Sequence, residues 1–336
     1  MSTIFVTGGA GFIGSNFIRY WLTTHPDDFV INYDLLTYAG NLDSLSDVAE
    51  KFKACYLFVH GDIANYHLVR HLFACYKPDW VVNFAAETHN SRAVIHPEVF
   101  FQTNVIGTQQ LLQAALDAGL PRFHHISTCE VYGDLALDSP EVFSETSPYR
   151  PRTPYNASKA AGDLAVRAYY ETFKLPVTIS NCSNNYGPYQ FPEKLIPYFA
   201  IRLIQGQKMT LYKSSQNRRE WLHVLDHCRA IEKILLSGKL GETYNIGSGL
   251  ELDVETIADS LRRIFGLDES CKTYVEDRPG HDRRYLLDSN KIRVELGWAP
   301  QIPFEQGFRE TVSWYRDHPA WWQPLLKRLA IQEDSW

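Results

Sequence analysis

A short apolar run at residues 4–7 ends in Thr7-Gly8-Gly9-Ala10-Gly11-Phe12-Ile13-Gly14 and passes into apolar residues at helical spacing. Three glycines between a strand and a helix allow a tight turn, close approach of the backbone to a pyrophosphate, and close packing of helix on strand. The helix start then offers N–H groups and the positive end of its dipole to phosphate oxygens. The string predicts a strand–turn–helix unit carrying a dinucleotide on Gly8, Gly11 and Gly14.

Further apolar runs at 29–33, 56–59, 80–84, 123–127 and 177–181 alternate with helical patterns such as 68–76 and 99–118. The runs are continuously apolar, as in strands buried on both faces. This alternation predicts an α/β chain built on a Rossmann-type doubly wound parallel sheet. After Pro188 the pattern loosens, with Pro192 and Pro197 and helical stretches at 195–205, 254–265 and 304–314. The expected organisation is an NAD-binding domain at 1–187 and a smaller C-terminal substrate-binding lobe at 188–336. The boundary is soft and leaves room for the chain to cross back.

A chain of 336 residues suits two lobes. Its net charge of −6 argues against a nucleic-acid partner, which would need a basic face. No cationic stretch leads into an apolar run near Met1, so no signal peptide is expected. No apolar run approaches the ~20 residues of a bilayer span, so no membrane partner is expected either. Cys55, Cys75, Cys129, Cys182, Cys228 and Cys271 lack paired metal or redox spacing. They predict free thiols in a reducing cytoplasm and no metal site. Five read as small buried fillers, and Cys129 stands apart.

Asp34 follows Gly14 by twenty residues, at the end of the second run. A carboxylate there accepts hydrogen bonds from the ribose of NAD and repels the 2′-phosphate of NADP. Asp62 suits the adenine end or a plain helix cap. Tyr155 and Lys159 lie four apart on a predicted helix after Pro154 and share a face. The ammonium is expected to lower the phenol pKa, so that the phenolate takes a hydroxyl proton while the nicotinamide takes a hydride. Thr128, Cys129 and Glu130 end the fifth run, where open α/β sheets bind ligands. Thr128 is placed to hydrogen-bond the hydroxyl being oxidised, and Glu130 is a candidate base.

With these motifs in place, the chain resembles the dTDP-glucose 4,6-dehydratases along nearly its whole length. The resemblance rests on TGGAGFIGSNF at 7–17, LTYAGNLDSL at 36–45, HGDI at 60–63, FAAETH at 84–89, QTNVIGT at 102–108 and STCEVYGD at 127–134. It continues in YNASKA at 155–160, CSNNYGPYQFPEKLIP at 182–197, REWLHVLDHCRAI at 219–231 and DRPGHDRRY at 277–285. It implies an NAD-dependent lyase that oxidises C4 of a nucleoside-diphosphate glucose, eliminates water across C5 and C6, and reduces C6. Tyr155, Lys159 and Thr128 would then serve C4, Glu130 would take the C5 proton, and Cys129 would protonate the leaving C6 hydroxyl. The NAD pocket it implies adds Phe12, Ile13, Asp34, Leu35, Leu36, Thr37, Asp62, Ile63, Ala85, Ala86, Thr103 and Asn185. The nucleotide and its diphosphate would meet His89, Asn184, Lys194, Tyr212, Arg219 and His281, with Tyr212 stacking on the base. Solvated surface charge is the other reading of Lys194 and Arg219, and lobe packing that of Tyr212. A homodimer built from 98–118 and 154–173 is also implied.

The chain departs from the family pattern where Asp gives way to Cys129. It also reads His89-Asn90-Ser91-Arg92-Ala93 for His-Val-Asp-Arg-Ser, and Lys213-Ser214-Ser215 for Gly-Asp-Gly. The STCEVYG string is similar to that of the UDP-GlcNAc 5,6-dehydratase of tunicamycin assembly. A second reading therefore returns the hydride to C4 and leaves a 5,6-alkene. A third is a non-catalytic NAD-binding regulator, which would have no need of Tyr155, Lys159 and Glu130.

Overall fold

The apolar runs become strands sealed on both faces by helices. A computed structural model describes residues 1–277 and 282–333. In chain order the strands are β1 (Thr3–Thr7), β2 (Phe29–Asp34), β3 (Tyr56–His60), β4 (Trp80–Asn83), β5 (Phe123–Thr128) and β6 (Val177–Cys182). They continue with β7 (Asn184–Tyr186), β8 (Met209–Tyr212), β9 (Arg218–His223), β10 (Thr243–Ile246), β11 (Glu251–Asp253) and β12 (Lys272–Val275). Seven form one parallel sheet in the order β10-β6-β5-β4-β1-β2-β3. Successive side chains of a strand point to opposite faces. Phe5 accordingly joins Ile31, Val81, Phe123 and Val177 under the helices Tyr66–Tyr76, Thr108–Asp117 and Pro154–Phe173. Its neighbours Ile4 and Val6 face the other side, against Phe17 and Trp21 of Phe12–Thr24 and Ile231 of Val224–Ser237.

The chain winds outward from β1 to β3 and then restarts on the other side of β1 at β4. The crevice of such a sheet lies at this switch point, beyond the carboxyl ends of the strands. A third core of Tyr186, Phe199, Trp221, Leu261 and Phe308 fills the smaller lobe, around the sheet β11-β9-β7 and the pair β12-β8. Helix Val224–Ser237 and strand β10 come after Pro188 in sequence yet lie on and in the large sheet. The chain thus returns to that sheet after entering the smaller lobe.

The pattern at 99–118 reads as one helix, but the structure divides it into Pro97–Phe101, a π-helical turn Gln102–Gly107 and Thr108–Asp117. The wide turn lets two neighbours serve different surroundings. Asn104 is buried and bonds both the N–H and the C=O of Glu87 and the Ser158 hydroxyl, whereas Thr103 faces the crevice. Helix Pro319–Glu333 escaped the sequence pattern because its apolar residues follow no clean stripe. It is held by Trp321 and Trp322 packed with Phe191 and Tyr315.

Candidate active site

Backbone at the glycine turn leaves no room for side chains. Gly8 has φ +68°, and a Cβ there would lie 2.6 Å from the Ala85 nitrogen, at the switch point itself. A Cβ on Gly14 would lie 2.3 Å from the Gly8 carbonyl oxygen. Gly11 is less confined, and it starts helix Phe12–Thr24 with no side-chain cap. A phosphate oxygen is the natural acceptor for such a helix end. Asp34 closes the turn. One carboxylate oxygen accepts from the Ala10 N–H at 2.9 Å and the other from the Leu36 N–H at 2.7 Å. Burial pushes the Asp34 carboxyl above its ordinary value despite those bonds. The cradle, the uncapped helix end and the carboxylate beyond it together fit a dinucleotide.

One cleft is lined by Gly8, Gly11, Phe12, Ile13, Gly14, Asp34, Leu35, Thr37, Asp62, Ile63, Ala85, Ala86, Thr103 and Asn185. Leu36 is the exception among the cofactor candidates. Its side chain stays out of that lining, and its N–H serves Asp34 instead. Asp62 lines the cleft and accepts from the Ala64 N–H at 2.8 Å, but it is not the helix cap, since Asn65 caps helix Tyr66–Tyr76 by accepting from the Leu68 N–H.

The same cleft is walled by Thr128, Cys129, Glu130, Tyr155 and Lys159. Thr128 ends β5, and its hydroxyl caps the 3₁₀ turn Cys129–Tyr132 by accepting from the Glu130 N–H at 3.3 Å. That turn swings Cys129 inward, to 2% exposure, and sets Glu130 half-buried at the rim. Burial, followed by the charge of Glu130, pushes the Cys129 thiol well up. Tyr155 opens helix Pro154–Phe173, where Pro154 needs no N–H partner and Thr153 caps the Asn156 N–H at 3.2 Å.

The phenol and ammonium share a face, but the expected lowering of the phenol is absent. Burial and then Glu130 raise Tyr155 well above its usual value, with a hydrogen bond from Thr128 acting the other way. The reason lies one layer down. Lys159 Nζ donates to the Ile126 carbonyl at 2.8 Å and lies 3.5 Å from His125 Nε2. Burial pulls Lys159 down, opposed first by the charge of Asp163. His125 is in turn held between Asn83, 3.1 Å from Nδ1, and Asp163, 3.4 Å from Nε2. Asp163 also accepts from Ser127 at 2.7 Å and Tyr149 at 2.9 Å. Sequence reading missed this buried chain, since its members come from four separate segments.

The substrate candidates divide. Asn184 and Lys194 line the cleft, with Lys194 Nζ donating to the Thr88 carbonyl at 3.3 Å. His89 caps helix Asn90–Ile95 through Nδ1 and lies 3.7 Å from a Glu193 oxygen, outside the lining. Tyr212 ends β8 at intermediate exposure, also outside it. Arg219 is neither a surface charge nor a cleft-lining one. Its guanidinium donates to the carbonyls of Arg218 at 2.7 Å, Asp282 at 2.7 Å and Arg283 at 3.3 Å, beneath the Tyr285 ring at 4.5 Å. His281 lies outside the described residues. Cys182, Glu87 and Glu193 line the cleft without having been singled out, although two of the quoted motifs contain them. Among the described residues no cluster of His, Cys, Asp and Glu is arranged to hold a metal ion.

The GDP-mannose 4,6 dehydratase family model matches residues 5–311. The dTDP-glucose 4,6-dehydratase of Streptomyces niveus is 49% identical over 327 residues, covering 96% of this chain and 95% of that protein. The chain belongs to the dTDP-glucose 4,6-dehydratase family. Among solved structures, the dTDP-glucose 4,6-dehydratase DesIV from Streptomyces venezuelae, with NAD bound, matches at TM-score 0.92 and 48% identity. The match covers 96% of this chain and 99% of that one. UDP-glucose 4-epimerase from Thermotoga maritima shares the architecture at TM-score 0.86 and 28% identity, over 94% and 99% of the two chains. Dehydratase and epimerase thus stand on one scaffold, so the scaffold alone does not assign the reaction.

Proposed function

We propose that the cleft performs NAD-dependent 4,6-dehydration of a nucleoside-diphosphate glucose, with dTDP-glucose the expected substrate. The observation that carries this reading is the convergence of Thr128, Cys129 and Glu130 with Tyr155 and Lys159 in the cleft that holds the glycine turn and Asp34. Bound NAD supplies the acceptor and donor of a hydride. Gly8, Gly11, Gly14 and the helix end behind them would hold its pyrophosphate, Asp34 a ribose, and Asp62 and Ile63 the adenine side.

Tyr155, bridged by Thr128, takes the proton of the C4 hydroxyl. Lys159, on the same helix face, is the cation of this chain that would oppose the burial raising the phenol. Glu130 takes the C5 proton, made acidic by the new ketone. Cys129 gives a proton to the C6 oxygen, which leaves as water. The two protons removed, by Tyr155 and Glu130, balance the two returned, one to the leaving oxygen and one to C5. A thiol suits the acid's part because burial and Glu130 keep it protonated at neutral pH. As a weak hydrogen-bond donor it orients the C6 oxygen less firmly than a carboxylic acid.

Cys129 also favours a second reading, in which the hydride returns to C4 and a 5,6-alkene results. Turnover of dTDP-glucose carrying deuterium at C4, followed by NMR of the product, separates the two. Label at C6 supports the 4,6-dehydratase. Label at C4 with an alkene supports the second reading, and absence of turnover on any sugar nucleotide overturns both in favour of a non-catalytic role.

A homodimer joined through 98–118 and 154–173 is part of the proposal. Its support is the apolar surface presented by Val99, Phe101, Ile106, Leu164 and Phe173, each more than 40% exposed. A cytoplasmic location accords with six unpaired thiols. No helix among the described residues is long and apolar enough to cross a membrane.

A further inference from the structure

Glu130 is held from outside the cleft wall. The side-chain amide of Asn90, first residue of the helix Asn90–Ile95, donates to Glu130 Oε2 at 2.9 Å. The amide's own oxygen accepts from the Thr153 hydroxyl at 2.7 Å. Thr153 is 5% exposed and is the residue whose oxygen caps the helix bearing Tyr155 and Lys159. The direction of each bond in this series is fixed. The Asn156 N–H donates to Thr153, the Thr153 hydroxyl to Asn90, and the Asn90 amide to Glu130. Asn90 is not among the residues lining the cleft. In the family pattern compared above, valine stands at this position.

We infer that Asn90 is a positioning residue for the C5 proton transfer: it ties Glu130 to the cap of the helix carrying Tyr155, engaging one carboxylate oxygen and leaving the other to work as base. A side-chain carboxylate turns about its terminal bonds with little resistance. A single amide anchored at its far end restricts that rotation, and valine has no donor with which to do so. The need is greater here than beside an aspartic acid. The weak S–H donor of Cys129 orients little, so the elimination geometry depends more on where Glu130 points. Glu130 is otherwise faced by Tyr155, Cys129, Cys182, Asp282 and Tyr285. Burial and Glu130 raise Asp282 to about 6. Arg219, Arg152 and Lys159 bear on the same cluster, but each is engaged elsewhere, Arg219 by the carbonyls of Arg218, Asp282 and Arg283, Arg152 by Asp134 and Lys159 by the carbonyl of Ile126.

The inference rests on the dehydratase reading, and its test separates the two. Wild type, Asn90→Val and Asn90→Asp are given dTDP-glucose in D₂O. C4 oxidation is followed by nicotinamide absorbance and C5 exchange by deuterium uptake. In Asn90→Val the oxidation step and KM stay near wild type, while C5 exchange and turnover fall about 10- to 100-fold, as expected for a misplaced group. Reduced nicotinamide accumulates as a result. Asn90→Asp keeps the bond from Thr153 but sets a carboxylate against Glu130. The acid limb of its exchange profile therefore moves to higher pH. That profile decides the matter even where Asn90→Val folds poorly. Exchange within about twofold of wild type in Asn90→Val, or an unmoved profile in Asn90→Asp, overturns the inference while leaving the dehydratase reading intact. A wild type that never oxidises the sugar overturns both.

Discussion

At residue scale the site turns on a few buried groups whose charge is costly. Tyr155→Phe is expected to lower C4 oxidation by roughly 10²–10⁴-fold, because the hydroxyl moves a proton and the ring only fills space. Stopped-flow measurement of nicotinamide reduction, beside substrate titration showing unchanged affinity, checks this. Asp34 carries a second expectation. Its carboxylate sits beyond the glycine turn, accepting from the Ala10 and Leu36 N–H groups, where it would repel the like-charged 2′-phosphate of NADP. The purified protein is expected to carry or prefer NAD, and Asp34→Asn to narrow the preference, as read by cofactor titration. Arg219→Ala is expected to do more than weaken nucleotide-sugar binding. It strips the carbonyls of Arg218, Asp282 and Arg283 of their shared donor. A fall in Tm should accompany the rise in KM, and a variant with raised KM and unchanged Tm would argue for a purely ligand-facing role. Placements set by local spacing could be read from the sequence: the glycine turn, Asp34, and Tyr155 with Lys159 one helical turn apart all line the cleft. The Asn90–Glu130 bond joins residues forty positions apart, and the guanidinium of Arg219 is claimed by residues more than sixty positions away. No periodicity or spacing rule reports such pairs.

Among the elements, helix Val224–Ser237 shows how a support layer reaches the cleft. His227 on it is fully buried, with Nδ1 3.0 Å from Oδ1 of Asn185, which lines the cofactor wall. Burial depresses His227 to about 3 and His223, at the helix cap, to about 4. A histidine depressed on folding favours the folded state above its ordinary value of ~6.5. That contribution is lost as pH falls through the window from ~6.5 toward about 3. The stability gap between wild type and His227→Gln, measured by urea denaturation, should be widest near neutral pH and shrink on acidification. A gap independent of pH would show that His227 does not titrate on unfolding. The helices themselves were legible where pattern and caps agreed: 254–265 matches its helix end to end, and 195–205 overshoots by one residue. The break at Gln102–Gly107 was not, because it answers to Glu87 and Ser158 rather than to its own apolar stripe.

For the whole molecule, the doubly wound sheet followed from the alternation of runs and helices, while the return of the chain to it did not, since β10 is four residues long with no distinctive pattern. The apolar surface of helix Pro154–Phe173 bears on assembly. Leu164, 58% exposed, is expected to sit between subunits, so Leu164→Arg should shift the light-scattering mass from dimer to monomer. An unchanged mass would move the interface elsewhere. The placement of β10 has a further consequence, for the growing polypeptide on the ribosome. Strand β6, with Cys182 of the cleft wall at its end, has its outer edge paired with β10, Thr243–Ile246. At roughly 5–20 residues per second, several seconds separate the synthesis of the two strands. Through that interval a nascent chain exposes the unpaired backbone of β6, a template for wrong partners. Truncated translation products ending shortly before residue 243 should therefore aggregate or recruit chaperones more readily than those that extend past residue 246.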